Sequence, residues 1–262
     1  MDLVRKDRVA LITGGARGIG FACARNLARD GARLALVDIN GERVTESARK
    51  LGEETGCTVI GMQADISSES DVRRMADQVN ARFGRIDLFL NSAAILADKL
   101  FLESTPAEWD RMLKICLYGP MLCLHAVLPG MVERKYGRVV CMASDSARFG
   151  QPRLSYYVAA KAGVIGLVKS VAQEVGGSGI TMNIVSPGAT NTELRQEREE
   201  SMRRQMGEEK YARRVKTVLR MYPTGRLGEP EDIAAMITFL LSDQASWVTG
   251  QVISVNGGFA MP

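Results

Sequence analysis

Two groups of residues in this sequence could together move a hydride and a proton. Residues 13–20 read Thr-Gly-Gly-Ala-Arg-Gly-Ile-Gly and follow an apolar run, residues 9–12. Tyr157 and Lys161 lie one helical turn apart, and Ser144 precedes Tyr157 by thirteen residues (157 − 144). A glycine loop can hold a dinucleotide, and a phenol beside an ammonium can transfer a proton. The combination indicates redox chemistry on a carbonyl or an alcohol.

The glycine loop lies between a strand-like run and a helix-like segment. Apolar residues recur at helical spacing over residues 21–28, so the pattern predicts strand, tight turn and helix. Glycines would let the backbone approach a diphosphate, and the free N–H groups of the helix start would face that anion. The spacing Gly14-x3-Gly18-x-Gly20 departs from G-x-G-x-x-G. A glycine-rich turn without a ligand is therefore the alternative interpretation.

Asp38 bears on the choice of cofactor. It ends the apolar run 33–37, eighteen residues after Gly20, which is where an acceptor for the adenosine ribose hydroxyls is needed. A carboxylate there would repel a 2′-phosphate, so we expect NAD rather than NADP. Arg17 is the contrary signal, because a cation in the loop could meet a 2′-phosphate. Repulsion by Asp38 is the stronger effect, since a flexible cation recruits a ligand less firmly than a like charge excludes one.

Short apolar runs alternate with longer amphipathic segments along the whole chain. This pattern predicts an α/β fold with a single-domain, Rossmann-type, doubly wound parallel sheet of about seven strands and helices on both faces. A capping box, residues 105–108, predicts one helix start. Ligands in such sheets bind beyond the carboxyl ends of the strands. We expect strands at residues 9–13, 33–38, 59–63, 87–91, 138–143, 181–186 and 251–255.

Composition is that of a compact enzyme. The 262 residues are 46% hydrophobic and 24% charged, enough for one large core, and the net charge of +4 does not suggest a nucleic-acid partner. The five cysteines form no C-x-x-C pair, so buried reduced thiols are expected. Residues 1–8 run directly into the first strand, and no apolar run appears long enough to span a bilayer. We therefore expect no signal peptide, no membrane partner and a cytoplasmic location.

With these motifs the chain resembles the short-chain dehydrogenase/reductase family almost from end to end. Within that family it looks most like 2-hydroxycyclohexanecarboxyl-CoA dehydrogenases and, more distantly, like 3-oxoacyl-carrier-protein reductases. The resemblance is carried by residues 13–20, Asp65-Ile66, residues 91–94, Ser144, Tyr157, Lys161, residues 183–188, Thr192, residues 225–230 and residues 256–258.

The resemblance implies roles for individual residues. Tyr157 would pass the proton to or from the substrate oxygen, Lys161 would hold the nicotinamide ribose, and Ser144 would hydrogen-bond the substrate oxygen. An ammonium and a nicotinamide cation are expected to lower the pKa of Tyr157. The implied cofactor residues are Gly14, Arg17, Gly18, Ile19, Gly20, Asp38, Ile39, Asp65, Ile66, Asn91, Ala93, Tyr157, Lys161, Pro187, Gly188, Thr190 and Thr192.

Cys116 is the main departure from the family pattern. It occupies the place of a fourth catalytic residue, an asparagine, and a thiol is a weaker donor and acceptor than an amide. Either the proton relay bypasses Cys116 or activity is lost. The second case gives an alternative function, a catalytically weakened dinucleotide-binding sensor or scaffold. An NADPH-dependent 3-oxoacyl reductase is a further alternative within the enzyme class.

Residues 190–222 lie where the family places its substrate lid. They contain nine lysines and arginines and six glutamates. Two interpretations are open: the segment is a solvated hairpin with internal ion pairs, or it is a lid that receives an acyl-CoA or carrier-protein phosphate. The expected substrate is a small alcohol or ketone, or an acyl-CoA. His125 is expected to be packed within an apolar helix, and the family implies a homotetramer formed through residues 112–132 and 155–175. An apolar underside of the lid is expected from Met202, Met206, Tyr211, Val215 and Leu219.

Overall fold

Seven parallel strands form one continuous sheet, in a computed structural model that describes residues 4–261. Their order is β3-β2-β1-β4-β5-β6-β7, so the chain reverses direction across the sheet between β1 and β4. The predicted sheet is confirmed, and each predicted strand end lies within one residue of the observed end. The strands are β1 (Val9–Thr13), β2 (Arg33–Asp38), β3 (Val59–Gln63), β4 (Leu88–Asn91), β5 (Gly137–Met142), β6 (Ile180–Pro187) and β7 (Val252–Val255).

Helices cover both faces of the sheet, as predicted. One apolar cluster packs α3, α5 and α7 against one face, and a second packs α1, α2 and α10 against the other. Because both faces are covered, the central strands are continuously apolar. The helices are α1 (Gly18–Arg29), α2 (Gly41–Thr55), α3 (Glu69–Phe83), α4 (Pro106–Leu113), α5 (Gly119–Glu133), α6 (Ser146–Phe149), α7 (Ser155–Val175), α8 (Glu193–Met206), α9 (Glu208–Arg220) and α10 (Pro230–Leu240).

Helices α4 and α5 continue into each other through a π-helical turn, Lys114–Tyr118. The predicted capping box begins α4, where Thr105 and Glu108 each accept from the other's backbone N–H. By length and composition the stretch Pro106–Glu133 could cross a membrane. The expectation that no apolar run is long enough to span a bilayer was therefore wrong. The buried residues of this stretch join the core clusters of the sheet, as in a core helix. His125 is exposed on this helix rather than packed.

Helices α8 and α9 form a helical hairpin across residues 193–220, within the segment expected to be a lid. Their described side chains include one buried residue, Glu199, and no buried apolar residue. Met206 is exposed, which contradicts its expected place on the apolar underside, because it lies at the end of α8. Met202, Tyr211, Val215 and Leu219 are partly buried. The hairpin is therefore much less embedded than the helices on the sheet.

All five cysteines are free, as expected. Cys23, Cys116, Cys123 and Cys141 are buried, and Cys57 is partly buried. Burial raises the pKa of Cys23, Cys123 and Cys141 to about 12, so these three thiols stay protonated and unreactive at neutral pH.

Candidate active site

A cavity of about 920 Å³ opens at the carboxyl ends of the strands. The segments that follow β1 to β6 all reach it, because parallel strands end at the same edge of the sheet. The sequence-predicted residues that line it are Gly14, Arg17, Gly18, Ile19, Asp38, Ile39, Asp65, Ile66, Ala93, Ser144, Tyr157, Lys161, Pro187, Gly188, Thr190 and Thr192. Gly20, Asn91 and Cys116 are the predicted residues that do not line it.

The glycine loop has the geometry that a diphosphate site requires. Gly14 and Gly18 adopt positive φ angles of 65° and 57°. Arg17 is the N-cap residue of α1 and makes no side-chain cap, and the first turn of that helix has no acidic residue. Gly18 and Ile19 of this first turn line the cavity, and backbone N–H groups at a helix start without a side-chain cap can bind an anion. The residues present fit a dinucleotide.

Gly20 and Asn91 support the loop rather than face the cavity. A Cβ on Gly20 would stand 2.2 Å from the carbonyl oxygen of Gly14, so only glycine allows α1 to begin this close to β1. The Oδ1 atom of Asn91 accepts from the Thr13 hydroxyl at 3.2 Å and ties the ends of β4 and β1 together. Both contacts hold the loop after β1 in place, and a direct cofactor contact for Gly20 and Asn91 stays a prediction.

Asp38 stands at the adenosine end of the cavity. Its Oδ1 atom accepts from the backbone N–H of Asn40 at 3.2 Å, which orients the carboxylate at the end of β2. Arg17, the residue that could favour a 2′-phosphate, is bonded to Glu197 of α8. The hydrogen bond to Glu197 is the largest cause that raises the pKa of Arg17.

Ser144, Tyr157 and Lys161 converge at the other end of the cavity. Lys161 is 3% exposed and donates to the carbonyl oxygen of Met142 at 2.8 Å, and its Nζ atom lies 5.9 Å from the centre of the Tyr157 ring. Ser144 exchanges a hydrogen bond of 2.9 Å with Ser146. Strand β5 thus supplies the carbonyl partner of the lysine, the segment after β5 supplies the serine, and helix α7 supplies the tyrosine and the lysine.

Burial governs the protonation of this group. It raises the pKa of the Tyr157 phenol, and the Ser144 hydroxyl and the Arg198 charge lower it by less. Burial also lowers the pKa of Lys161. Without a bound cofactor, desolvation of the phenolate therefore exceeds the stabilisation that its neighbours provide, and the fall expected in the presence of a nicotinamide cation stays a prediction.

Asp145 fixes the loop that carries Ser144. It is 1% exposed and accepts from the Ser254 hydroxyl at 2.7 Å and from the Asn256 amide, while its backbone N–H donates to Pro187 at 3.1 Å. The C-terminal segment after β7, including Asn256, therefore helps to position the loop that carries Ser144, two strands away in the sheet. This explains how a motif far along the chain serves the site.

Cys116 lies within the π-helical turn between α4 and α5. Its thiol is fully buried and donates to the carbonyl oxygen of Ile95 at 3.6 Å. It packs with Met112, Tyr156 and Ala160 and does not line the cavity. The position holds a small packed side chain, so the lysine would have to reach solvent by another route.

Several cavity residues were missed by the sequence reasoning. Arg198 of α8 lines the cavity, and Asp98, which lies outside the lining, accepts from it at 2.7 Å and also accepts from Arg153, which precedes α7. Asp98 comes from an irregular loop, so no motif or periodicity identifies it. Phe259 follows the motif at residues 256–258 and could have been found from it. Other lining residues are Glu108, Arg111, Phe149, Gln151, Glu193, Leu194, Glu197, Arg214, Val218, Met221 and Tyr222.

Charges in the α8–α9 hairpin are mostly paired with each other. Glu199 lies 3.1 Å from Arg195 and 2.7 Å from Arg214, and Arg204 pairs with Glu200 at 3.0 Å. Within residues 4–261, Lys210, Lys216 and Arg220 have no ion pair and lie exposed on α9. The interpretation as a hairpin with internal ion pairs therefore describes the inner face of α8 and α9, and leaves these outer cations available.

Comparison with known proteins agrees with this geometry. Residues 14–260 match the family described as enoyl-(acyl carrier protein) reductase. The chain is 38% identical to (2S)-[(R)-hydroxy(phenyl)methyl]succinyl-CoA dehydrogenase subunit BbsD of Thauera aromatica, over 97% of this chain and 96% of the relative. It is 33% identical to a 3-oxoacyl-[acyl-carrier-protein] reductase FabG of Staphylococcus epidermidis, over 97% and 100%. The crystal structure of levodione reductase matches with a TM-score of 0.90 and 39% identity, over 97% and 98%.

Proposed function

This chain belongs to the short-chain dehydrogenase/reductase family and is an oxidoreductase that uses a nicotinamide dinucleotide, and we propose that it uses NAD(H) to interconvert a secondary alcohol and a ketone. The observation that carries the proposal is one continuous cavity with Asp38 at one end and Ser144, Tyr157 and Lys161 at the other. A dinucleotide held by the glycine loop at the first end would reach the proton-transfer group at the second.

Each side chain has a role that follows from its position. Tyr157 donates a proton to the substrate oxygen during reduction and accepts it during oxidation. Ser144 hydrogen-bonds the same oxygen and fixes its place. Lys161, held by the Met142 carbonyl, carries a positive charge beside the Tyr157 ring and binds the nicotinamide ribose. The bound nicotinamide would supply or take up the hydride.

Cofactor choice follows from charge at the adenosine end. Asp38 is free to accept from both ribose hydroxyls and would repel a 2′-phosphate. Arg17, on which an NADP preference would depend, is held by Glu197. An NADPH-dependent 3-oxoacyl reductase remains the alternative, because the FabG relatives reduce 3-oxoacyl groups on a carrier protein according to their name.

The substrate class follows from the cavity and the relatives together. Ile95, Met112 and Ile115 line the cavity with Tyr156 and Tyr157, which suits a ring or an acyl chain next to the reacting carbon. One relative is named for a CoA thioester and another for levodione. We propose a hydroxyacyl-CoA or a cyclic alcohol. For a CoA thioester, the exposed cations Lys210, Lys216 and Arg220 of α9 would be available to phosphates.

A cofactor and substrate screen tests the proposal. Purified protein is mixed with NAD or NADP and a panel of cyclic, aliphatic and CoA-linked hydroxy compounds, and the absorbance of the reduced nicotinamide is followed. We expect turnover with NAD on at least one compound class. Dissociation constants for NADH and NADPH, measured by fluorescence titration, should differ by at least about tenfold, or about 1.4 kcal/mol. Equal constants would contradict the NAD assignment, and binding without turnover on any class would favour a sensor.

We further propose that the protein is a cytoplasmic homotetramer. Leu113, Tyr118, Met121 and Val132 on the Pro106–Glu133 stretch are exposed large apolar side chains, which is typical of a surface that a second copy covers. Light scattering on the eluted protein should give four times the mass of 28.6 kDa. A monomeric mass at micromolar concentration would contradict this assembly.

A further inference from the structure

The start of helix α8 places two carboxylates at the cofactor end of the cavity. Glu193 begins α8, Glu197 lies one turn further on, and both line the cavity. Glu193 lies directly over the glycine loop, since a Cβ on Gly18 would stand 3.6 Å from its Oε2 atom. The hairpin therefore forms part of the wall around the dinucleotide as well as the wall around the substrate.

Each of these carboxylates pairs with a cation from the dinucleotide-binding half. Glu197 bonds to Arg17, and Glu193 Oε1 lies 3.3 Å from Arg43 Nη2. Asp38 acts on Arg17 as a third negative charge. Three carboxylates and two guanidinium groups leave a local net charge of −1 at the end of the cavity where the adenosine ribose would lie.

We propose that Glu193 and Glu197 are specificity residues for the cofactor: they hold Arg17 and Arg43 in ion pairs and so deny both cations to a 2′-phosphate. The inference rests on the proposed preference for NAD. A phosphate monoester brings close to two negative charges. To bind here it would have to displace a carboxylate from each guanidinium or accept repulsion from three carboxylates, whereas the 2′-hydroxyl of NAD does neither.

The direct test measures binding rather than turnover. Dissociation constants of NADH and NADPH are measured by fluorescence titration for the wild-type protein and for Glu193→Gln, Glu197→Gln and the double variant. The double variant should bind NADPH about tenfold tighter while its constant for NADH changes by less than about twofold, as expected when two charges close to a phosphate are removed. Each single variant should show part of the gain.

Glu200→Gln is the matched control. Glu200 lies on the same helix and pairs with Arg204 at 3.0 Å, but it does not line the cavity. Its substitution removes the same charge from α8 and should leave both constants unchanged. Thermal unfolding of every variant checks that the hairpin still folds.

Arg17→Ala tests the mechanism. If Glu197 acts by holding Arg17, then Glu197→Gln should improve NADPH binding by less than about twofold once Arg17 is absent. Suppose that the wild type prefers NADH. If the double Glu variant then shows the same ratio of NADH to NADPH dissociation constants as the wild type, the inference is overturned. An equal change for both cofactors would also overturn it, because that result indicates a displaced hairpin. Equal constants in the wild type would instead show that the proposed cofactor choice itself is wrong.

Discussion

Two regions face each other across the cavity, and they are built in different ways. Ser144 lies just after β5, and Tyr157 and Lys161 stand on α7. Both elements pack into the apolar core, and Lys161 itself is 3% exposed. The α8–α9 hairpin on the opposite side buries no apolar side chain of its own helices and contains a cluster of ion pairs around Glu199. One wall is held by burial and the other by charge.

This difference separates chemistry from access. Burial of apolar surface contributes about 25 cal/mol per Å² and fixes neighbouring side chains in one packing. The hairpin buries no apolar side chain of its own helices, so little apolar burial opposes its movement and it opens at a lower free-energy cost. We expect the catalytic wall to stay rigid while the hairpin moves to admit substrate.

Asp98 is the junction between the two walls. It bonds to Arg198 of α8 and to Arg153, whose φ of 69° is unusual for a residue other than glycine. Arg153 directly precedes the helix that carries Tyr157 and Lys161. Through Asp98, a carboxylate with little exposure, the hairpin is therefore linked to the segment that directly precedes α7.

Replacing the phenol should give the largest effect of all. Tyr157→Phe is expected to lower kcat by about 10²–10⁴, since it removes the proton donor without changing the packing of α7. The constant for NADH and the melting temperature should hardly change. Turnover close to that of the wild type would remove Tyr157 from the mechanism.

Tyr136→Phe is the matched control for this substitution. Tyr136 donates to Asp243 at 2.9 Å and does not line the cavity. Its loss should cost about 1 kcal/mol of stability and leave kcat unchanged, the reverse of the expected pattern for Tyr157.

The rigid wall also predicts the dependence on pH. Burial raises the pKa of Tyr157, so the phenol stays protonated through neutral pH and ketone reduction with NADH should be flat there. Alcohol oxidation needs the phenolate and should rise about tenfold per pH unit. Because burial lowers the pKa of Lys161, the rise in oxidation rate should end at a pH below the usual pKa range of a lysine. Rate profiles in both directions measure this, and a reduction rate that falls steadily from acid to neutral pH would contradict it.

A substitution at Asp38, at the end of the cavity where the adenosine ribose would lie, should have the next largest effect. Asp38→Ala removes the carboxylate that would accept from the ribose and repel a phosphate, so the proposed preference for NADH over NADPH should shrink by about tenfold. Fluorescence titration of both cofactors measures the change. An unchanged ratio would mean that Asp38 does not discriminate between them.

Breaking the junction tests whether charge alone holds the hairpin. Asp98→Asn should raise KM by about three- to tenfold with a smaller change in kcat, and it should reduce stability by about 1–3 kcal/mol, since two guanidinium groups lose their partner. Burial by itself raises the pKa of Asp98, but Arg153 and Arg198 lower it by more, so the net pKa lies below the usual value of an aspartate. The stabilisation is therefore complete above the pKa of the unfolded carboxyl and is lost as pH falls through the folded value.

Melting temperatures of wild type and Asp98→Asn across this acidic range measure that loss. On acidification the wild type should lose its advantage in melting temperature over Asp98→Asn. The variant should show no corresponding fall in melting temperature. Equal KM and equal stability at neutral pH would show that the hairpin is held by other contacts.

Cys116 should give the smallest effect. The thiol does not line the cavity, so Cys116→Asn is expected to leave the NADH constant unchanged and to preserve kcat or raise it by up to about threefold, most where proton delivery limits the rate. Since an amide is larger than a thiol in a fully buried position, melting temperature is measured together with rate. A folded but inactive variant would show that Cys116 has a role of its own.

Much of the fold and half of the site could be predicted because the signals are local. Apolar strands and helical spacing depend on neighbouring residues, and each strand end was placed to within one residue. Asp38, Ser144, Tyr157 and Lys161 were identifiable because they follow strands or share one turn of a helix. By contrast Asp98 lies in an irregular loop and Glu197 in a charged helix, where residue type alone does not reveal a partner.

The sequence by itself determined which groups can do chemistry, because a phenol, an ammonium and a glycine loop have fixed properties wherever they lie. The tertiary structure alone decided how strongly they act. Burial raises the pKa of Tyr157 in the protein without cofactor, and this effect depends on the whole surrounding fold. Folding also paired Arg17 with Glu197, 180 residues away, and only contacts between distant parts of the chain could convert that loop cation into part of an acidic wall.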